Sequence, residues 1–182
     1  MVMPLVSTLA DLQEKQFQGA TLKDIDPSLG DGKIVKWGEF INSKKISING
    51  EETRWRFYGK YDILGENSDG SLAIIDCKVS DSERDNGQFY APQLEAYAYS
   101  LENPAVGEGK KVSTMGLLVW SPKSADLTGF KVEQKYVPVV RDVARFQTLL
   151  ADLINMLEGE MPDSGEKCET CRFISNREAL DL

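Results

Sequence analysis

The sequence predicts a single α/β domain of the α+β kind, with helices flanking a central mixed sheet. Three observations predict it. Apolar runs of strand length are interleaved with longer segments of helical period. Hairpin-type turn signals separate the first strands. The 182 residues, 41% hydrophobic and 27% charged, suffice for one properly buried core.

The elements follow in order. Ser7 is placed to cap a helix running to about Gln18, with Leu9, Leu12 and Phe17 on its apolar face and Gly19 ending it. Residues 20–33 carry Asp24, Asp26, Pro27, Gly30 and Gly32 and read as a loop. Residues 45–48 and 53–58 alternate as strands about Asn49-Gly50, a strong hairpin turn. A second turn, Asn67-Ser68-Asp69-Gly70, separates strands at 61–64 and 71–79. Within the latter, Leu72-Ala73-Ile74-Ile75 is an apolar run suited to a buried central strand. Pro92 sits where proline does least harm, at the opening of a helix that continues to about Glu102. Residues 116–120 form another buried strand, and 130–137 alternate as a further one. Asp142 caps a helix through Leu157, whose apolar residues Val143, Phe146, Leu149, Leu150, Leu153, Ile154 and Leu157 share a face. The order is helix, strands, helix, two strands, helix and a cysteine-bearing tail. The chain thus divides into an N-terminal helix and loop (1–32), a core (33–160) and a C-terminal tail (161–182).

Composition narrows the chemistry. The chain has no histidine, which excludes Ser-His-Asp and Cys-His nucleophiles, histidine-held zinc and imidazole bases. An enzyme here must work with carboxylates, lysine, hydroxyls, thiols or a metal held by oxygen. Three cysteines do not make a disulfide framework and point to a reducing, cytoplasmic setting. No run approaches the roughly 20 apolar residues that span a bilayer, so no membrane partner is expected. The opening residues also lack the features of a secretory signal.

The net charge of −8 excludes a protein that coats nucleic acid by bulk charge. That charge is uneven. Residues 33–60 and 109–150 each hold 7 basic against 3 acidic side chains, whereas 61–108 hold 2 against 10. Lys44, Lys45, Arg54, Arg56, Lys110 and Lys111 lie in the basic stretches and could frame a groove for a phosphate backbone. A solvated surface is the plain alternative.

The densest chemistry lies between residues 59 and 97. Asp76 and Lys78 are i and i+2 on a strand and so point to one face as neighbours. Asp62 ends the preceding strand, where a turn can return it beside that pair. Gln93 and Tyr97, i and i+4, share one face of the following helix. Two carboxylates and a backbone carbonyl can hold Mg²⁺, and a neighbouring lysine can act on water and on phosphoryl charge. Each pair alone is common by chance; their joint order, at the end of an otherwise buried strand, is what carries weight.

Gly59/Asp62, Asp76/Lys78 and Gln93/Tyr97, with Lys78-Val79-Ser80 after them, resemble the motifs of the PD-(D/E)XK nucleases. The likeness is to the RecB-like branch, which includes CRISPR-associated and helicase-linked exonucleases. The resemblance implies a restriction-endonuclease-like αβββαβ core and Mg²⁺- or Mn²⁺-dependent hydrolysis of DNA phosphodiesters. It implies an exonuclease of DNA repair, recombination, phage or CRISPR context, acting on single strands or duplex ends, with helicase or CRISPR adaptation proteins as partners. Asp62, Asp76 and the Cys77 carbonyl would hold metal, Lys78 would act on water, and Gln93 and Tyr97 would organise the site or touch DNA. Many relatives add a metal ligand on the first helix. Glu14 is the positional candidate here, with a surface glutamate as the plain alternative.

Cys168-Glu169-Thr170-Cys171 resembles the C-terminal part of an iron–sulfur element found in several relatives. Such a centre needs four ligands, and Cys77 is the only further cysteine, so no cluster is expected in this chain alone. A missing N-terminal segment, a lost cluster or ligation shared between chains would each account for the pair, as would a plain reduced tail. Two further readings stay open beside the nuclease: a catalytically silent nuclease-fold binding module of a larger complex, and a small cysteine-ligated metal or redox protein.

Overall fold

The computed structural model describes residues 4–80, 87–127, 129–161, 163–165 and 167–178, with backbone alone for residues 4–7, 10 and 14. In chain order the first elements are α1 (Pro4–Lys15), α2 (Leu22–Ile25), a 3₁₀ turn (Pro27–Leu29), β1 (Lys33–Trp37), β2 (Phe40–Asn42) and β3 (Ser47–Ile48). Next come β4 (Glu51–Glu52), β5 (Tyr58–Lys60), β6 (Ile63–Glu66), β7 (Leu72–Val79) and α3 (Gly87–Glu102). The last are β8 (Val112–Asp126), β9 (Gly129–Pro138), α4 (Val143–Glu158) and α5 (Glu169–Glu178). The chain forms two compact units, residues 1–146 and 147–182. No helix among the described residues is long and apolar enough to cross a membrane.

A mixed sheet in the order β1-β6-β7-β8-β9 organises the first unit. Neighbours are antiparallel except β7 and β8, which run parallel and are joined through α3. A parallel pair needs such a long crossover. The central β7 is buried on both sides, which its continuous apolar run requires. Leu72 and Ile74 pack with Leu94 and Ala98 of α3, while Ala73, Ile75 and Cys77 pack with Phe17, Leu22 and Leu118. Ile74 and Ile75 are fully buried, each stabilising the fold by about 1.5–3 kcal/mol. On the second face α1 packs against β7, and the buried Gln13 donates from Nε2 to the Leu118 carbonyl at 2.7 Å.

The strand-rich middle is more divided than the pattern suggests. Asn49 and Gly50, at φ 53° and 85°, turn the expected hairpin, but β3 and β4 pair over only two residues each. Residues 53–57 are not a strand; β5 pairs instead with β2 in a separate ribbon. Residues 20–33 contain α2 and the 3₁₀ turn rather than loop alone, because the Asp24 carboxylate accepts from the Thr21 N–H and hydroxyl at 2.7 Å.

Other boundaries move as well. Helix α1 begins at Pro4, ahead of Ser7, and ends at Lys15; Leu12 is 53% exposed, Gln13 is buried, and the buried Phe17 lies just past the helix. Pro92 lies inside α3 rather than at its start. Tyr90 and Ala91 pack against the core, and that packing carries the helix upstream past a missing N–H. Asp142 caps α4 as expected, accepting from the Arg145 N–H at 2.9 Å. On α4 the buried stripe narrows to Phe146, Leu150 and Ile154, with Val143, Leu153 and Leu157 exposed. The tail includes α5, which the sequence pattern does not signal.

Candidate active site

The site forms where β6 starts and β7 ends. Strand β5 leads through the buried Tyr61, whose N–H donates to the Glu39 carbonyl at 3.2 Å. It then reaches Asp62, whose own carbonyl accepts from the Gly38 N–H at 2.8 Å. The Asp62 side chain turns back across the sheet: its Oδ2 accepts the Cys77 N–H at 2.6 Å. A short, charge-assisted bond of this kind fixes a carboxylate well.

Asp76 is 2% exposed, and its Oδ2 forms an ion pair with Lys78 Nζ. The strand period places both on the α3 face of β7, while Cys77 is buried on the other face. Helix α3 closes the site from above. Gln93 Nε2 donates to Asp76 Oδ1 at 3.3 Å and to the Tyr97 hydroxyl at 2.9 Å. Lys78 Nζ lies 4.8 Å from the centre of the Tyr90 ring, a cation–π distance. Gly59 makes room for Tyr97: a Cβ there would stand 3.0 Å from the ring. The structure therefore brings together Gly59, Asp62, Asp76, Lys78, Gln93 and Tyr97.

Electrostatics follow from burial. Desolvation and then the Asp62 carboxylate push Asp76 up to about 6, with Lys78 pulling against them. Burial works against the Lys78 ammonium, but the Asp76 carboxylate outweighs it and holds Lys78 above its ordinary value. Burial raises the Tyr97 phenol, keeping it neutral.

These groups suit a hard divalent cation. Asp76 Oδ2 is buried against the Lys78 ammonium, and Asp62 adds a second carboxylate beside it. Oxygen donors without soft ligands match Mg²⁺ or Mn²⁺. No group of three His, Cys, Asp or Glu side chains suited to a metal occurs among the described residues. The side chain of Glu14 lies outside the described residues.

Two contributors carry no motif. Tyr90 stands three residues before Gln93, one turn along α3, and helical spacing could have found it had the helix been extended past Pro92. The second is a buried network. Arg141 donates to Glu95 Oε2 at 3.1 and 3.2 Å, to Glu102 Oε1 at 2.7 Å and to the Val112 carbonyl at 2.7 Å. Glu95 Oε1 accepts the Asp142 N–H at 2.8 Å. This ties down the helix that carries Gln93 and Tyr97.

Among the basic candidates, Lys45 pairs with Glu52 and Lys110 with Glu66, each at 2.8 Å. Cys77, Cys168 and Cys171 form no disulfide. In the second unit the Cys171 N–H donates to Cys168 Sγ at 3.4 Å, and this bond lowers the Cys168 thiol below its ordinary value.

Comparisons with known proteins bear on the whole arrangement. A search of curated proteins finds no significant match. Among solved structures, one described as "Crystal structure of SSO0001" is similar over 93% of this chain and 68% of that one, at 17% identity and a TM-score of 0.49. The sequence model of the PD-(D/E)XK nuclease superfamily matches residues 8–175. That span runs from within α1 into α5 and includes each residue of the site, and the chain belongs to the PD-(D/E)XK nuclease superfamily.

Proposed function

We propose that this chain is a Mg²⁺- or Mn²⁺-dependent deoxyribonuclease. In this reading it is an exonuclease of the RecB-like branch, cutting single strands or duplex ends in a cytoplasmic repair, recombination, phage or CRISPR setting, beside a helicase or adaptation partner. The observation that carries the reading is the buried Asp76, paired with Lys78 and set beside a second carboxylate, Asp62. A buried carboxylate in that state costs stability unless something else occupies it.

The residues divide the work. Asp62 and Asp76, with the Cys77 carbonyl, would hold the cation. When bound, the cation supplies Lewis-acid charge for the phosphodiester and a potent nucleophile at neutral pH. Lys78 keeps its proton, so it orients water and offsets the negative charge that develops on the phosphoryl oxygens. Asp76 and the Tyr90 ring fix the ammonium in place. The Gln93 amide joins Asp76 to Tyr97, and the neutral Tyr97 hydroxyl is available as a donor to a phosphate oxygen.

A cleavage assay on end-labelled single-stranded and duplex DNA, with Mg²⁺, Mn²⁺ or EDTA, tests this. Metal-dependent cutting is expected, and Lys78→Ala and Asp76→Ala should each lower it by about 10²–10⁴-fold. Unchanged cutting in both variants contradicts the residue roles. Absence of cutting by the unmodified chain on every substrate favours a silent binding module.

A further inference from the structure

We propose that the outer face of the β2–β5 ribbon is a base-stacking platform for single-stranded nucleic acid, formed by Phe40 and Tyr58 and lined by Arg54, Arg56 and Lys60. The strand's destination at Asp62 rests on the nuclease reading above; the platform itself does not.

The ribbon has two unlike faces. Register pairs Phe40 with Lys60, Ile41 with Gly59 and Asn42 with Tyr58, so strand alternation puts Phe40, Tyr58 and Lys60 on one side. The opposite side faces α3, since a Cβ at Gly59 would stand 3.0 Å from the Tyr97 ring. On the outer side Phe40 is 66% and Tyr58 71% exposed. Their rings lie nearly parallel, 11° apart with centroids at 5.5 Å. Cross-strand pairing accounts for their mutual contact. It does not account for the cations set around them.

Exposure alternates with the same two-residue period through residues 53–60, although 53–57 are not a strand and Arg54 also lies over the Trp55 ring at 5.2 Å. Arg54, Arg56, Tyr58 and Lys60 are exposed, whereas Thr53, Trp55, Phe57 and Gly59 between them are more covered. The row is basic, basic, aromatic, basic; β5 ends at Lys60, two residues before Asp62. Tyr58 and Asp62 are four residues apart, at most about 14 Å along the chain. In a chain of net charge −8, residues 33–60 carry a net excess of four basic side chains. Aromatic faces interleaved with cations are what a single strand needs: bases stack on the rings while phosphates meet the charges. A duplex cannot use the rings, because its bases already stack on each other. An apolar protein partner would have no use for the three cations.

The test is binding by the full chain in EDTA, where no cleavage occurs, so its outcome is independent of whether the chain cuts DNA. Fluorescence anisotropy compares a labelled 15-nucleotide oligo(dT) with a 15-base-pair blunt duplex. The single strand should bind more tightly. Tyr58→Leu and Phe40→Leu should each weaken it by about 5–100-fold without changing the salt slope, while Tyr58→Phe should bind as the unmodified chain does. Arg56→Ala should lower the salt slope by about 0.7. Photocrosslinking of unmodified protein to 5-iodouracil-substituted oligonucleotide supplies a readout that no folding defect can confuse, and it should label Tyr58 or Phe40. Equal affinity in the leucine variants, preference for the duplex, no measurable binding of oligo(dT), or crosslinks confined to other segments would each overturn the proposal.

Discussion

Asp76 and Glu95 are both buried carboxylates, 2% and 3% exposed, and the fold surrounds them in opposite ways. Glu95 accepts two bonds from the Arg141 guanidinium and one from the Asp142 N–H. Asp76 has one long bond from Gln93, an ion pair with Lys78 and a second carboxylate, Asp62, beside it. Full satisfaction makes a structural anchor; a shortfall next to a like charge makes a site that is stabilised by an added cation. The two lie on the sheet and on the helix that face each other, so the anchor holds in register what the site leaves strained.

The sharpest way to break the comparison is to remove the anchor's cation. Arg141→Met leaves Glu95 buried without its charge partner, which costs about 3–5 kcal/mol. Thermal melting should then fall by about 10 °C. A change within 2 °C or so would mean that the network contributes far less than its geometry implies.

Neutralising each carboxylate in turn gives a smaller but more pointed contrast. Glu95→Gln turns an acceptor into a donor facing Arg141 and should lose about 1–3 kcal/mol in urea unfolding. Asp76→Asn, measured in EDTA, should unfold at the same or higher urea concentration, because it removes an under-satisfied buried charge. Equal losses in both would erase the distinction between anchor and site.

The smallest effect is a pH dependence. Burial pushes Glu102 up, but the Arg141 guanidinium and the Val112 N–H together hold it below its ordinary value. A carboxyl depressed in the folded state contributes stability above its unfolded value, and that contribution is lost as pH falls through the folded one. The stability gap between the unmodified chain and Glu102→Gln, followed by urea melts from pH 6 to pH 3, should therefore shrink on acidification. A constant gap would show that Glu102 is not held by charge.

The same contrast explains what could be read from the sequence. Asp62, Asp76 and Lys78 were legible because strand alternation and hairpin turns are local rules, and the structure places all three side chains together. Gln93 and Tyr97 were legible through helical spacing. The Arg141 network was not, since Arg141 lies 46 residues from Glu95 and no local period joins them. No strand period marks β1, because its residues are exposed but for Ile34; its order comes from pairing with β6. Tyr90 lies upstream of Pro92 in α3, where proline's local preference yields to core packing.

The central claim is that Asp62 and Asp76 form a divalent cation site, and calorimetric titration with Mn²⁺ in the absence of DNA tests it most directly. The unmodified chain should show saturable binding, and Asp76→Asn and Asp62→Asn should each weaken it at least about tenfold, a loss of about 1.4 kcal/mol. Identical isotherms for all three would contradict the account.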